Sequence, residues 1–242
     1  MNEKSRGVEV MHPLVQVFDD GRALLAANRS VGVFSDPTIS INAKLTVVPT
    51  MAFWVLAFGD AMALIRRTSG DTPLDDVVRN HAEEDAEHWR WFVADLELLA
   101  GEGIGATSMG DALRIQWGAR TSAVRECAWT VQHLLRKHRD PVARLGVLEA
   151  CEHGFEAFMD SIRPVVLHSP LYPQLRYLGE VHDAAEAGHA LHEQGDPFAG
   201  VDWQHRDVPS IQASVKAMYN SLNGLHSCYA DEITKKSKMD PQ

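Results

Sequence analysis

The sequence has few cysteines, and their spacing does not suggest that they are linked. Its 242 residues include three, Cys127, Cys151 and Cys228, an odd number set far apart. This excludes a disulfide framework and a C-x-x-C metal knuckle. It favours a reducing, cytoplasmic setting. The segment Met1–Val10 lacks an apolar run, so we expect no signal peptide.

An excess of positive charge is also missing. The net charge of -10 argues against a nucleic acid or an anionic membrane as partner. The longest apolar run, Leu45–Ile65, contains Pro49 and Asp60 and is predicted to be a buried helix rather than a membrane span. Asp60 is either a surface carboxylate close to Arg66 or a buried one directed at a functional site, since a buried acid must be paired or ligating.

Strand patterns are absent, because no run of alternating β-branched residues is bounded by hairpin turns. The sequence therefore predicts an all-α, single-domain protein over residues 1–242, with a core of about 12–235 and a polar tail at 236–242. Seven helices are expected, over residues 12–28, 39–67, 73–100, 111–139, 140–162, 174–193 and 210–235.

The fourth of these helices is expected to be continuous and to bury one apolar stripe. Its inward positions are predicted to be Leu113, Trp117, Val124, Ala128, Val131 and Leu135.

Two stretches share the form H-x3-acid-x2-H. The first contains His81, Asp85 and His88, and the second, 101 residues later, contains His182, Glu186 and His189. On a helix, positions i, i+4 and i+7 fall within about 60° of each other. Each stretch therefore predicts two imidazoles and a carboxylate on one stripe, and two such stripes facing each other in a bundle would offer a metal-ligand set.

Further acids are available for such a centre. Glu149 and Glu152 are three residues apart and are expected to share a helix face, with His153 off that face. Glu84 is an alternative to Asp85 within the first stretch. Carboxylate and imidazole ligands suit iron, manganese or zinc, and carboxylates can bridge two cations.

These residues resemble a known family. His182, Glu186 and His189 look like the late H-x3-D-x2-H signature of the heme-oxygenase-like di-iron oxidases, and Ala82–Trp89 and Leu175–Gly179 resemble uncharacterised bacterial members of that fold group. The resemblance covers roughly residues 46–192. It implies a seven-helix, heme-oxygenase-like bundle that holds two iron ions per chain and activates O2.

The resemblance also assigns ligands. His88 matches the family's early histidine, and Glu152, or its neighbour Glu149, matches the acid that precedes the late motif. The sequence departs from the pattern at Glu186, where the family has Asp. It also lacks a clear first Glu ligand, for which the candidates are His81, Glu84, Asp85 and Asp60.

Three functions remain open at this point. The first is a non-heme iron oxidase or oxygenase that acts with O2 on a small molecule in the bundle cavity. The second is a metal-free enzyme of the same fold, with a thiaminase-like hydrolysis led by Cys127 or Cys151, and it predicts that one of these thiols lines the cavity while the His and acid stripes face water. The third is a non-catalytic helical binding protein. A homodimer is the default expectation for the assembly.

Overall fold

The fold consists of helices joined by short connections. The computed structural model describes residues 12–186 and 196–239, and no strand occurs within these two ranges. The α-helices are α1 (Val15–Ala26), α2 (Arg29–Ser35), α3 (Ile41–Leu45), α4 (Val47–Thr50), α5 (Ala52–Thr68), α6 (Pro73–Glu84), α7 (His88–Gly101), α8 (Met109–Trp117), α9 (Ser122–Lys137), α10 (Pro141–Leu167), α11 (Glu180–Glu186) and α12 (Val208–Met239). The predicted all-α class is confirmed, whereas several of the seven expected helices are divided into shorter segments.

The two longest helices, α10 and α12, pack against each other at the centre of the bundle. Their contact is close at Gly154, where a Cβ atom would lie 2.8 Å from the side chain of Leu222. A larger residue at Gly154 would push the helices apart, because core side chains are already close-packed. The apolar residues of α1, α2, α5 and α9 complete the core around this pair.

The apolar segment predicted as one helix over residues 39–67 forms three consecutive helices. Ile41–Thr50, which comprises α3 and α4, meets Ala52–Thr68 at an angle of 42°. The bend falls just after Pro49, whose ring removes a backbone donor and disturbs the preceding turn. Among residues 12–186 and 196–239, no single helix is long and apolar enough to cross a membrane, and this bent pair meets that test only when its two parts are taken together.

The helix predicted over residues 73–100 is also divided. Thr72 caps α6, and Asp75 completes a capping box with it. The α-helix ends at Glu84, and Asp85–Glu87 forms one turn of 3₁₀-helix before α7 begins at His88. The first His/acid stretch therefore lies on a helix break rather than on one straight stripe.

The expected helix over residues 111–139 is likewise two helices, α8 and α9, separated at Gly118–Thr121. The expected inward positions on α9, from Val124 to Leu135, are buried. The prediction was wrong for Leu113 and Trp117, which are exposed on α8, a helix that buries none of its residues. The break redirects α8, so its apolar stripe no longer continues that of α9.

The helix that carries the second stretch begins later than predicted. A 3₁₀ turn at Tyr172–Gln174 is followed by a non-helical segment, and α11 starts only at Glu180. The carboxylate of Asp95 on α7 accepts the backbone N–H groups of Arg176, Tyr177 and Leu178, at 2.7, 3.0 and 3.0 Å. These three donors are therefore satisfied without a helix, which explains the late start.

Candidate metal centre

Three side chains from separate segments meet in the interior. His81 on α6, Asp85 in the 3₁₀ turn and Glu152 on α10 are all buried. The Nε2 atom of His81 lies 3.2 Å from Oδ2 of Asp85 and 3.3 Å from Oε1 of Glu152. One ligand atom from each residue lies within 4.8 Å of the others. A divalent cation bound at this group would offset the negative charge of the two buried carboxylates, and the imidazole would be a further ligand.

Two further histidines adjoin this group. His88 Nδ1 lies 3.6 Å from Oδ1 of Asp85 and 3.1 Å from Nε2 of His182. The two oxygens of Asp85 thus face different imidazoles, Oδ2 facing His81 and Oδ1 facing His88. A carboxylate in this position can bridge two cations.

The 3₁₀ turn determines how Asp85 is placed. In a 3₁₀-helix, side chains three residues apart are aligned one above the other, so Asp85 and His88 lie on one side at the start of α7. Asp85 is also one turn beyond His81, at i+4. Asp85 therefore reaches a histidine on each side of the break.

The ring of His182 is oriented by backbone contacts. Its Nδ1 lies 2.8 Å from the carbonyl oxygen of Tyr177, and its backbone N–H donates to the carbonyl of Arg176 at 3.2 Å. Because a carbonyl oxygen can only accept, Nδ1 carries the proton and Nε2 presents its lone pair in the neutral ring. A ligating histidine typically has this support on its second nitrogen.

The segment that supplies these carbonyls is itself anchored by Asp95. Burial raises the pKa of the Asp95 carboxyl, while its three backbone donors and His182 act in the opposite direction. Gly179 closes the segment tightly, because a Cβ atom there would lie 2.2 Å from the carbonyl oxygen of Leu175. Asp95 and Gly179 are therefore positioning residues for His182.

A small cavity adjoins the cluster. Its volume is about 60 Å³. Asp85, His88, Glu152, His182 and His226 form its polar side. The rest of the lining is mostly aromatic and aliphatic, and includes Met51, Trp54, Val55, Phe58, Phe155, Phe158, Leu222, Leu225 and Tyr229. At roughly 10–15 Å³ for each water, it has room for a few waters or a molecule of similar size.

Three other candidates from the sequence, Glu84, Asp60 and Glu149, lie away from this group. Glu84 is exposed. Asp60 is also exposed, which agrees with the expectation of a surface carboxylate rather than a buried one. The Oε1 atom of Glu149 lies 3.5 Å from His153 Nε2, away from the three-residue group. Glu186 is the last described residue of α11, and its side chain lies outside the described part of the chain. His189 lies outside the described residues.

The expectation that His153 would lie off the face of Glu149 was wrong. Residues four apart differ by about 40° around a helix and residues three apart by about 60°, so Glu149 lies closer to His153 than to Glu152. His153 Nε2 accepts from Arg22 at 2.9 Å, and its Nδ1 contacts the hydroxyl of Tyr219. Since a guanidinium already occupies the ring nitrogen, this second cluster is a poor cation site.

Sequence reasoning also missed the supporting residues. Asp95 and Trp91 both lie on α7, and neither has a sequence spacing typical of metal ligands. The indole of Trp91 stacks on His88, with ring centres 4.7 Å apart. The one available signal was Leu175–Gly179, which the resemblance singled out without giving it a role.

The cysteines are buried thiols. Cys151 lines the cavity, and Cys127 is buried nearby in the core. Burial raises the pKa of Cys127 to about 12, and it raises the pKa of Cys151 well above its ordinary value, reinforced by Cys127, Glu152 and Asp85. Since the thiolate is the nucleophile, neither group is activated in this environment.

The residues present fit a bound metal. Metal–nitrogen and metal–oxygen bonds of about 2.1 Å that meet near a right angle place their ligand atoms roughly 3 Å apart. The distances from His81 Nε2 to Asp85 and Glu152, 3.2 and 3.3 Å, agree with that spacing. The donor set of imidazole and carboxylate suits iron, manganese or zinc rather than copper(I) or calcium.

Comparison with known proteins adds no family. No protein-family model matches the chain, and no curated protein matches it. Fold and site together define an all-helical protein with a buried group of possible metal ligands.

Proposed function

We propose that this protein is a non-heme iron oxidase or oxygenase that acts with O2 on a small molecule at the cluster of His81, Asp85 and Glu152. The observation that carries the proposal is the placement of one buried imidazole nitrogen within 3.3 Å of two buried carboxylates from different segments. A bound cation would offset the negative charge of these carboxylates, and imidazole and carboxylate are ligands that suit iron.

The cluster favours two iron ions over one. Asp85 directs its two oxygens at His81 and at His88, and His88 in turn lies 3.1 Å from His182. His81 and Glu152 would hold one ion and His88 and His182 the other, and Asp85, which faces both histidines, would serve both ions. Glu186 and His189 remain predicted ligands from the second stretch, and manganese or zinc remains the alternative to iron.

The bound metal would supply the redox chemistry for O2. The residues around the metal would orient its ligands and line the cavity beside it. Asp95 and the carbonyl of Tyr177 hold His182 with Nε2 directed at His88, so the ring needs little reorganisation on binding. Phe155, Phe158 and Trp54 give the adjoining cavity apolar walls, which favour an apolar reactant and limit the entry of water.

The cavity also constrains the substrate. A ligand-binding pocket usually measures about 300–1,000 Å³, whereas this cavity measures about 60 Å³. O2 would fit without rearrangement. A larger organic substrate would require the aromatic side chains at the wall to move, and we expect such a substrate to present its apolar part to them.

We also assign the chain to the heme-oxygenase-like di-iron oxidases. The support is the all-helical fold together with the meeting of His88, Glu152 and His182, the residues that match the family's pattern. His81 then takes the position of the family's first Glu ligand, because it faces Glu152, whereas Glu84 and Asp60 are exposed.

The metal-free hydrolase is the weaker alternative. Cys151 lines the cavity, as that hypothesis requires. The same hypothesis requires the histidines and acids to face water, but His81, Asp85, His88 and Glu152 are buried. The raised pKa of Cys151 also disfavours a thiolate nucleophile.

Metal content tests the proposal. We would purify the protein after growth with added iron and measure iron, manganese and zinc by mass spectrometry, before and after anaerobic reconstitution with ferrous iron. We expect about two iron ions per chain, as the assignment above requires. O2 consumption would then be measured with candidate substrates, and only the protein that contains iron should consume O2.

Matched variants make the result specific. His81→Ala and Glu152→Gln should lose most of the metal, whereas His133→Ala and Glu84→Gln, which change exposed residues of the same types, should retain it. Absence of metal from the reconstituted parent would overturn the proposal. Equal metal content in all four variants would place the site elsewhere.

A further inference from the structure

Helix α8 is oriented with its apolar side outward. Met109, Leu113 and Trp117 follow one another at four-residue intervals, so they form one stripe on the helix. No residue of α8 is buried. An amphipathic helix of a globular protein normally turns such a stripe toward the core.

Hydrogen bonds to neighbouring helices explain why α8 holds this orientation. The side chain of Gln116 accepts the backbone N–H of Phe53, at 3.0 Å, and donates to the carbonyl of Pro49, at 2.7 Å. At the end of the helix, Thr121 donates to the carbonyl of Ile115 at 2.6 Å, and Arg125 donates to the carbonyl of Gln116. The polar side of α8 is thus fixed to α4, α5 and α9, and the apolar stripe is left at the surface.

The stripe continues onto neighbouring helices. The ring of Phe53 lies 5.1 Å from that of Trp117 and 6.4 Å from that of Trp129, so it joins the two indoles, and Leu56 is one turn from Phe53. We call the resulting surface the aromatic patch. Its exposed side chains are Leu56 (46% exposed), Met109 (76%), Leu113 (56%), Trp117 (60%) and Trp129 (55%).

The patch is large enough for a stable contact. A large side chain presents roughly 150–250 Å², so five that are about half exposed amount to an area on the order of 600 Å². That is at the upper end of the largest patch on an ordinary monomer. It approaches the roughly 800 Å² that each partner contributes to a standard interface.

The charge around the patch indicates what covers it. Six charged residues lie within four positions along the chain of a patch side chain, and they balance: Asp60, Asp111 and Glu126 against Arg114, Arg120 and Arg125. The chain as a whole carries -10. Two copies could therefore meet here without the repulsion that their other surfaces would impose. An anionic membrane or a strongly charged partner would gain nothing from a neutral surface.

We propose that the aromatic patch of α5, α8 and α9 is the interface between two copies of this chain, which form a symmetric dimer. A two-fold contact places the same patch on both sides, so Trp117 and Trp129 of each copy cover the apolar stripe of the other. The opposite side of α5, with Trp54, Val55 and Phe58, lines the candidate metal cavity. The interface therefore lies behind the cavity wall and leaves the ligands untouched.

Light scattering after size-exclusion chromatography tests the interface, over a range of protein concentrations. The parent should have twice the chain mass of 26.8 kDa. Leu113→Glu should raise the dissociation constant at least about tenfold, since it places a charge in the middle of the apolar stripe of α8. Leu167→Glu makes the same change at a side chain of similar exposure, 51%, away from the patch, and should leave the dimer intact.

Two additional readouts separate the outcomes. Tryptophan fluorescence should shift to longer wavelength when the parent is diluted, and circular dichroism should show equal helix content in both variants. A parent that is monomeric at all concentrations, or a dimer that Leu113→Glu leaves unchanged, would overturn the proposal. So would a monomer that binds vesicles of anionic phospholipid through the patch.

Discussion

The carboxylate of Asp95 accepts the backbone N–H of Arg176 at 2.7 Å, and this contact joins α7 to the segment that carries His182. The same carboxylate accepts from Tyr177 and Leu178. The carbonyl of Tyr177 in turn faces the ring of His182. One buried acid therefore determines the position of a candidate ligand on another helix.

We predict that Asp95→Asn lowers stability and weakens metal binding. The amide retains one acceptor oxygen but turns N–H groups toward backbone N–H donors, and each buried donor left without a partner costs about 1–3 kcal/mol. Urea unfolding should show a loss of about 2 kcal/mol or more. Ferrous iron binding should weaken because His182 loses its support.

Asp60→Asn is the control for that prediction, because Asp60 is exposed. It should change neither stability nor metal binding measurably. If Asp95→Asn unfolds like the parent, the three backbone contacts do not hold the segment.

We predict that Gly179→Ala is destabilising. Its Cβ would lie 2.2 Å from the carbonyl oxygen of Leu175, so the backbone must shift, at a cost of about 1–3 kcal/mol. Gly224→Ala is the counterpart within α12, where a Cβ meets no atom within 4 Å. It should stabilise by about 0.5–1 kcal/mol, because alanine loses less conformational freedom than glycine in a helix. Thermal unfolding of the two variants should shift in opposite directions from the parent.

The sequence was sufficient to predict the all-α class and the approximate extent of α1, α10 and α12, because apolar periodicity determines which residues of a helix are buried. It also indicated His81, Asp85 and Glu152 as candidate metal ligands, because imidazole and carboxylate side chains at helical spacing are typical of metal sites in helical bundles. It did not predict the break at Asp85 or the late start of α11. The second depends on Asp95, which is distant in sequence from the backbone groups it binds.

The orientation of α8 could not be predicted for a similar reason. Leu113 and Trp117 continue the apolar pattern of α9, so one helix with an inward stripe was the simplest interpretation. The long-range bonds of Gln116 to α4 and α5 decide the orientation instead. Periodicity identifies the apolar side of a helix but not whether another element covers it.

Acid should destabilise the protein through His226. This residue is fully buried on α12, and burial lowers its pKa to about 4, while a hydrogen bond to the backbone of Gly154 acts in the opposite direction. The folded state therefore favours the neutral ring, whereas the unfolded chain takes up a proton near the ordinary pKa of about 6.5. The contribution of His226 is complete above about pH 6.5 and is lost as the pH falls toward 4.

The expected size of this effect is about 2 kcal/mol between about pH 7.5 and pH 5, from the difference between the two pKa values. Urea unfolding of the parent and of His226→Gln, measured at both pH values, isolates it, because glutamine does not titrate. The parent should lose more stability than the variant over this range. Equal losses in the two proteins would show that His226 is charged in the fold.

Cys151 should be unreactive in the folded protein although it lines the cavity. Its raised pKa keeps it as a thiol near neutral pH. Alkylation by iodoacetamide at about pH 8 should therefore be at least about a hundredfold slower than for an ordinary cysteine and should rise on unfolding in urea. Cys151→Ala should retain the metal content of the parent, because the thiol is not among the assigned ligands. Rapid alkylation of native Cys151 that also abolished an activity of the metal-free protein would favour the hydrolase over the iron oxidase.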